Sequence, residues 1–183
     1  YSAALWQSVG IAQSDSLLIS FSTAIVNIVG TFIAIALVDR IGRKPLLLAG
    51  SAGMTVTLAV MAWAFRAAGA AGGEEQVRLP ALQGTAALLA AHGYVLCFAL
   101  SWGVVVWVLL GEIFPNRIRA VALSVAATAQ WLANWLITVT FPSLAEWSLA
   151  GAYTGYACCA LLSFLFVAAF LRETKGRRLE EMG

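Results

Sequence analysis

Residues 111–120 read GEIFPNRIRA, and they stand between two long stretches that carry no charge. From residue 79 to residue 111, and again from 120 to 145, there is no Asp, Glu, Lys or Arg. Pro115 has no amide donor and its ring clashes with the preceding turn, which kinks or breaks a helix. Glu112 therefore closes one apolar segment, and Arg117 and Arg119 open the approach to the next.

The same alternation runs through the whole chain of 183 residues. No charge falls between Asp15 and Asp39, between Lys44 and Arg66, or between Glu146 and Arg172. Each gap is long enough for a transmembrane helix, which needs about 20 apolar residues. Charged residues make up 11% of the chain and hydrophobic ones 61%, against about 25% charged in a soluble domain. These numbers predict an all-α integral membrane protein with spans at 17–38, 46–66, 83–111, 120–142 and 150–171. The third is longer than an upright helix requires and is expected to tilt, break or lie partly at the interface. The opening YSAALWQSVGI has no initiator methionine or signal peptide, the first methionine being Met54. Residues 1–11 read as the end of a further span whose beginning is missing.

Lysine and arginine sort by side. Arg40, Arg43, Lys44, Arg117, Arg119, Arg172, Lys175, Arg177 and Arg178 group in 39–45, 112–119 and 172–183, whereas the alternate loops hold Arg78, with Arg66 at a span edge. Positive charge marks the cytoplasmic side, so these loops and the tail are expected there, in a cell membrane. The net charge of +2 reports this topology and gives no reason to invoke nucleic acid. Cys97, Cys158 and Cys159 lie inside apolar spans and suggest neither a disulfide framework nor a metal site. Nor is there a nucleophile–base constellation or a phosphate-cradling loop; neither a cofactor nor an enzyme is expected. His92, the sole histidine, reads as a helix-packing residue.

Polar side chains inside spans are costly, so their spacing carries information. Ser16, Ser20, Thr23, Asn27 and Thr31 recur at steps of three and four, one face of a helix. Gln130, Asn134 and Thr138 follow a four-residue step, with Trp131 and Trp135 alongside. Amides can simply bond between helices, at about 0.6–2 kcal/mol each, and for Asn27 that reading stands level with a binding role. Two amides and two indoles on one span exceed what packing requires. Amides both donate and accept, which suits a neutral hydroxylated solute, and indole faces suit the C–H faces of a sugar ring; Trp107 is a further candidate. No span interior holds an ionic group, so a charged substrate is disfavoured. At the charged loops, Glu112 is expected to pair with Arg119, joined by Asp39, Arg40 and Arg43. Exposed pairs are worth only about 0–1 kcal/mol each, a strength that suits a latch; plain topological signalling accounts for the arginines but not for Glu112.

Asp39-Arg40-Ile41-Gly42-Arg43-Lys44, SWGVVVWVLLGEIFPNRIRA, AQWLANW and ETKGRRLEEM, in this order, resemble the sugar porter family of the major facilitator superfamily. The likeness covers essentially the whole chain and matches the C-terminal half, from the end of the seventh span. It implies the C-terminal six-helix half of a twelve-helix transporter, first helix truncated, moving a neutral hexose or pentose by alternating access. It further implies a partner in the missing N-terminal half and sugar contacts from Asn27, Phe98, Trp107, Gln130 and Trp131, with Asn134 nearby and Tyr1 at a gating position. Asp39, Arg40, Arg43, Glu112 and Arg119 match the cytoplasmic gate. The tenth span lacks the family's proline before its tryptophan, so Gly103 must supply any break. Arg172 replaces the proline of the terminal motif, which should let the last helix run further. Ala99 stands where animal facilitators carry glutamate, which likens the chain to bacterial xylose or glucose–proton symporters, with protons as a coupled partner. A non-transporting sugar sensor and an inactive half-carrier are the alternatives.

Overall fold

A computed structural model describes residues 13–71, 81–171 and 173–174. These residues are helical apart from short connections: α1, Gln13–Ile41; α2, Arg43–Ala71; α3, Ala81–Leu100; α4, Val105–Ile113; and a helical stretch Arg119–Phe170. The regions Asp15–Ile41, Arg43–Ala67, Leu82–Ile113 and Arg119–Phe170 are long and apolar enough to cross a membrane. The expected end of a preceding span, residues 1–11, and most of the tail 172–183 lie outside the described residues.

The last stretch has 52 residues and would be about 78 Å long if straight, far more than a hydrocarbon core of about 30 Å. It is two helices. Ser148 leaves helical space at φ −165°, ψ 106°, and its Oγ accepts the Gly151 amide at 3.0 Å, as an N-cap does. Phe141 and Tyr156 stack with ring centroids 6.4 Å apart, whereas fifteen residues of straight helix would separate them by about 22 Å. The chain therefore doubles back at Ser148, and the two arms are named α5 (119–147) and α6 (149–170).

The third apolar span breaks, as its length invited. Phe98 O accepts the Ser101 and Gly103 amides at 3.1 and 2.8 Å, and Ser101 O accepts the Val105 amide at 2.7 Å. Gly103 contributes space: a Cβ there would come within 3.3 Å of Phe98 O. Two other connections differ from expectation. The loop 39–45 contracts to Gly42, because Asp39 and Arg40 belong to α1 and Arg43 and Lys44 to α2. Gly42 adopts φ +105°, open to a residue without Cβ. The last helix does not run further in the absence of proline; it ends at Phe170, and Leu171 is extended at φ −79°, ψ 129°.

Helix α2 is the hub, packing chiefly on α3 and α6. Its Met54, Leu58, Met61, Ala62, Ala64 and Phe65 form a core with Ala87 and Ala90 of α3 and Tyr153, Ala157 and Ala160 of α6. Lipid is as apolar as the core, so close van der Waals packing rather than water exclusion holds such helices, and small residues make it possible. A Cβ on Gly50 would overlap the Ser101 side chain, and one on Gly30 would lie 2.8 Å from Ala99 Cβ. His92 bridges α1 and α3 with Nε2 2.7 Å from Ser22 Oγ, while Nδ1 lies 2.9 Å from Leu88 O. Leu18, Phe21, Phe32, Leu162 and Phe170 are among the large apolar side chains left on the outside, where a bilayer would receive them.

Candidate functional site

Two zones gather the polar side chains. The first lies midway along the bundle. A cavity of about 580 Å³ opens between α1, α2, α3, α5 and α6, with Met54, Tyr94, Phe98, Trp102, Thr138 and Tyr156 among its lining. Of the residues named as sugar contacts, Phe98 faces it. The others do not share that enclosure: Asn27 on α1 and Gln130, Trp131 and Asn134 on α5 are exposed, and Trp107 on α4 is half-buried. Trp131 is 72% exposed. Tyr1 lies outside the described residues.

The exposed side chains on α1 and α5 nevertheless lie at similar depths, whereas Trp107, six residues before the end of α4, lies nearer the charged end. From the charged end of the bundle, at Ile41 and Arg119, the helical rise puts Gln130, Asn27 and Asn134 at about 16, 21 and 22 Å. The α5 stripe continues from Gln130 through Asn134 to Thr138, which reaches the cavity wall. The polar stripe of α1 is less uniform than its spacing implied. Ser16 is fully buried, and Ser20 and Thr23 donate to their own helix, to Ser16 O at 2.9 Å and Ile19 O at 2.7 Å. Thr23 also lines the cavity, so the α1 stripe passes from packing to the cavity wall along its length.

The second zone is the charged end. Arg43 grips Glu112 along one edge of its guanidinium, Nε to Oε2 at 3.0 Å and Nη2 to Oε1 at 2.5 Å. Its Nη2 also reaches Asp39 Oδ1 at 2.9 Å, and its Nη1 donates to Val38 O at 3.1 Å. The expected pairing of Glu112 with Arg119 is corrected here. The chain turns at Pro115, whose carbonyl accepts the Arg119 amide at 3.0 Å, and Arg119 Nε folds back onto Phe114 O at 3.2 Å. Arg119 Nη2 is buried without a hydrogen-bond partner. Arg40 stands exposed in the last turn of α1. Arg43, in contrast, is only 8% exposed, so the small energies of exposed pairs do not describe its bond to Glu112.

Glu173 completes this zone, and no pairing had been assigned to it from the sequence. Its Oε1 and Oε2 accept the Arg43 and Lys44 amides at 3.0 Å each. A carboxylate thus caps the N-terminus of α2 from 130 residues away along the chain, where unpaired amides and the helix dipole favour negative charge. A Cβ on Gly42 would sit 2.8 Å from Glu173 Oε2, so this glycine serves both the turn and the cap. Thr174 Oγ1 donates to Glu112 Oε2 at 2.7 Å, and Lys44 Nζ donates to Ala168 O at 3.0 Å, capping the end of α6 in return. The signal available in the sequence was the ETKG motif itself, whose acid had no assigned partner.

The comparisons with known proteins agree with this architecture. A family described as "Sugar (and other) transporter" matches residues 1–183. The chain is 50% identical over its full length to a "Glucose transport protein" of Synechocystis sp., covering 39% of that relative. It is 38% identical to the "D-xylose-proton symporter" of Escherichia coli K12, covering 36%. The chain therefore spans under two-fifths of the length of these relatives. Among solved structures, the proton:xylose symporter XylE bound to 6-bromo-6-deoxy-D-glucose superposes with a TM-score of 0.82 at 38% identity, over 100% of this chain and 37% of that one. An inward-open XylE from E. coli matches with a TM-score of 0.77, over 98% and 39%. The chain belongs to the sugar transporter family of the major facilitator superfamily.

Proposed function

We propose that this chain supplies one wall and one gate of a carrier that moves a neutral monosaccharide, hexose or pentose, by alternating access with coupled protons. The observation that carries the reading is the α5 stripe: Gln130, Trp131 and Asn134 stand exposed on an apolar span, at the depth of Asn27, with no ionic side chain among them. Amide and indole groups in lipid would be penalised; against a hydroxylated solute in a watery pathway they are matched. In this reading the stripe faces an N-terminal six-helix half across the pathway, and Phe98 and Trp107 complete the aromatic contacts. The charged end is cytoplasmic by its excess of arginine and lysine, and its Asp39–Arg43–Glu112 cluster, with Arg40 and Arg119 beside it, is the gate. The names of the relatives, a glucose transport protein and a xylose–proton symporter, support sugar as the cargo and protons as the coupled ion.

Sugar binding to the intact protein tests this. Gln130→Ala and Trp131→Ala should each weaken affinity by about tenfold or more, the loss of a charge-free hydrogen-bonded and stacked contact, while insertion stays at the level of the unmodified protein. Unchanged affinity in both variants would remove α5 from the site.

A further inference from the structure

The break between α3 and α4 holds a polar chain that borders the cavity through Trp102 and Ser163 but belongs to neither the charged end nor the α5 stripe. Trp102 Nε1 donates to Ser51 Oγ of α2 at 2.8 Å. Ser51 Oγ and Ser163 Oγ of α6 lie 3.1 Å apart, and Ser163 Oγ donates to Ala160 O at 2.7 Å. The protons assign themselves. An indole N–H can only donate and a carbonyl can only accept, so Trp102 gives to Ser51, Ser51 to Ser163, and Ser163 to the α6 backbone. Each hydroxyl gives one proton and receives one. Ser51 is fully buried, in a bundle where an apolar residue would fill the space at less cost.

This chain grips the joint from which α4 springs. Ser101 is itself fully buried and donates to Cys97 O at 2.6 Å, wedged against Gly50. Helix α4 begins at Val105. It carries Trp107 in its first turn and Glu112 into the Arg43 cluster, so its far end is held by an ion pair and its near end by Trp102. Val105 and Leu109 seat the helix between them.

We propose that the Trp102–Ser51–Ser163 chain is the fulcrum that sets the orientation of α4, so that Ser51 and Trp102 are positioning residues for Trp107 and not themselves sugar contacts. The proposal rests on the reading of Trp107 as a sugar contact, and the test separates the two. Sugar uptake by the intact protein in proteoliposomes is measured for Ser51→Ala, Trp102→Phe, the double variant, Ser51→Thr and Trp107→Ala. The expected result is a half-saturation concentration raised about fivefold in each of the first two, as for one lost hydrogen bond, with the maximal rate changed much less. The double variant should be no worse than the worse single, because both break one chain, and Ser51→Thr, which keeps the hydroxyl, should restore the original value. Trp102→Phe keeps the ring and carries the test where Ser51→Ala does not insert. A raised value in Trp107→Ala with unchanged values in Ser51→Ala and Trp102→Phe overturns the fulcrum alone. Independent, multiplying losses in the double variant overturn it too. An unchanged value in Trp107→Ala removes the sugar contact and the fulcrum with it.

Discussion

Removal of Glu112 should expose how the charged end is held. Arg43 is 8% exposed and spends its Nε and one Nη2 bond on Glu112. Glu112→Ala leaves that guanidinium buried with Asp39 and Val38 O as its remaining acceptors. Breaking a fully buried pair costs about 3–5 kcal/mol. The Glu112 side chain is 30% exposed and Asp39 still shares the charge, so the cost expected here is smaller, about 2 kcal/mol. Thr174 loses its acceptor as well. Replacing both partners by apolar residues, Arg43→Met with Glu112→Leu, removes the stranded charge, and such exchanges are often neutral. The double variant should therefore be more stable than Glu112→Ala, within about 1 kcal/mol of the original. Reversible unfolding of the intact protein in mixed detergent–SDS micelles measures the difference. A double variant that costs the sum of its two singles would refute the reasoning, because it would mean that Arg43 and Glu112 act independently.

Two further outcomes follow from local geometry. Gly42→Ala should destabilise by about 2 kcal/mol in the same assay, combining a φ of +105° that disfavours L-residues with a Cβ pressed against Glu173; a neutral substitution would show that Glu173 does not hold the α2 N-terminus. Ser148→Ala should cost about 1 kcal/mol by uncapping α6, and Ser148→Asp, which can still accept the Gly151 amide, should recover most of it. Equal stability of the Ala and Asp variants would mean that the hairpin turn does not depend on the cap.

Much of the bundle was legible because a membrane imposes one simple demand, a long apolar run per crossing, and charge appears where that demand lapses. The break near Gly103 was legible for a related reason: the run from 83 to 111 exceeded one crossing. The reversal at Ser148 showed in the sequence only as an uncharged run interrupted at Glu146, whereas the cap that defines it is a single serine hydroxyl. The candidate sugar contacts were proposed from residue types and spacings, and the similar depth of Asn27, Gln130 and Asn134 follows from helical rise. Whether they enclose one cavity was not, since that depends on how α5 leans against its neighbours, which no spacing along α5 encodes.

At the charged end Asp39, Arg43 and Glu112 do cluster, but the pairing of Glu112 with Arg119 does not form, for a physical reason. Glu112 and Arg119 share one loop, so proximity in sequence favoured their pairing, yet the Pro115 turn spends Arg119 on the Phe114 carbonyl. The partner that wins, Arg43, is brought by the packing of α2 between α4 and α6, a tertiary fact. The same packing brings Glu173 onto the α2 N-terminus, and this holds Leu171 extended where a helix was expected to continue. The start of α2 thereby becomes a node joined to α1 through Asp39, to α4 through Glu112 and to the segment after α6 through Glu173. The links differ in kind. Asp39 and Glu112 bind a side chain that can swing away, whereas Glu173 binds backbone amides that cannot move unless α2 moves. An opening of this end that is to leave the bundle intact should therefore part Arg43 from Glu112 first and keep Glu173 seated, with Thr174 following whichever acid retains it.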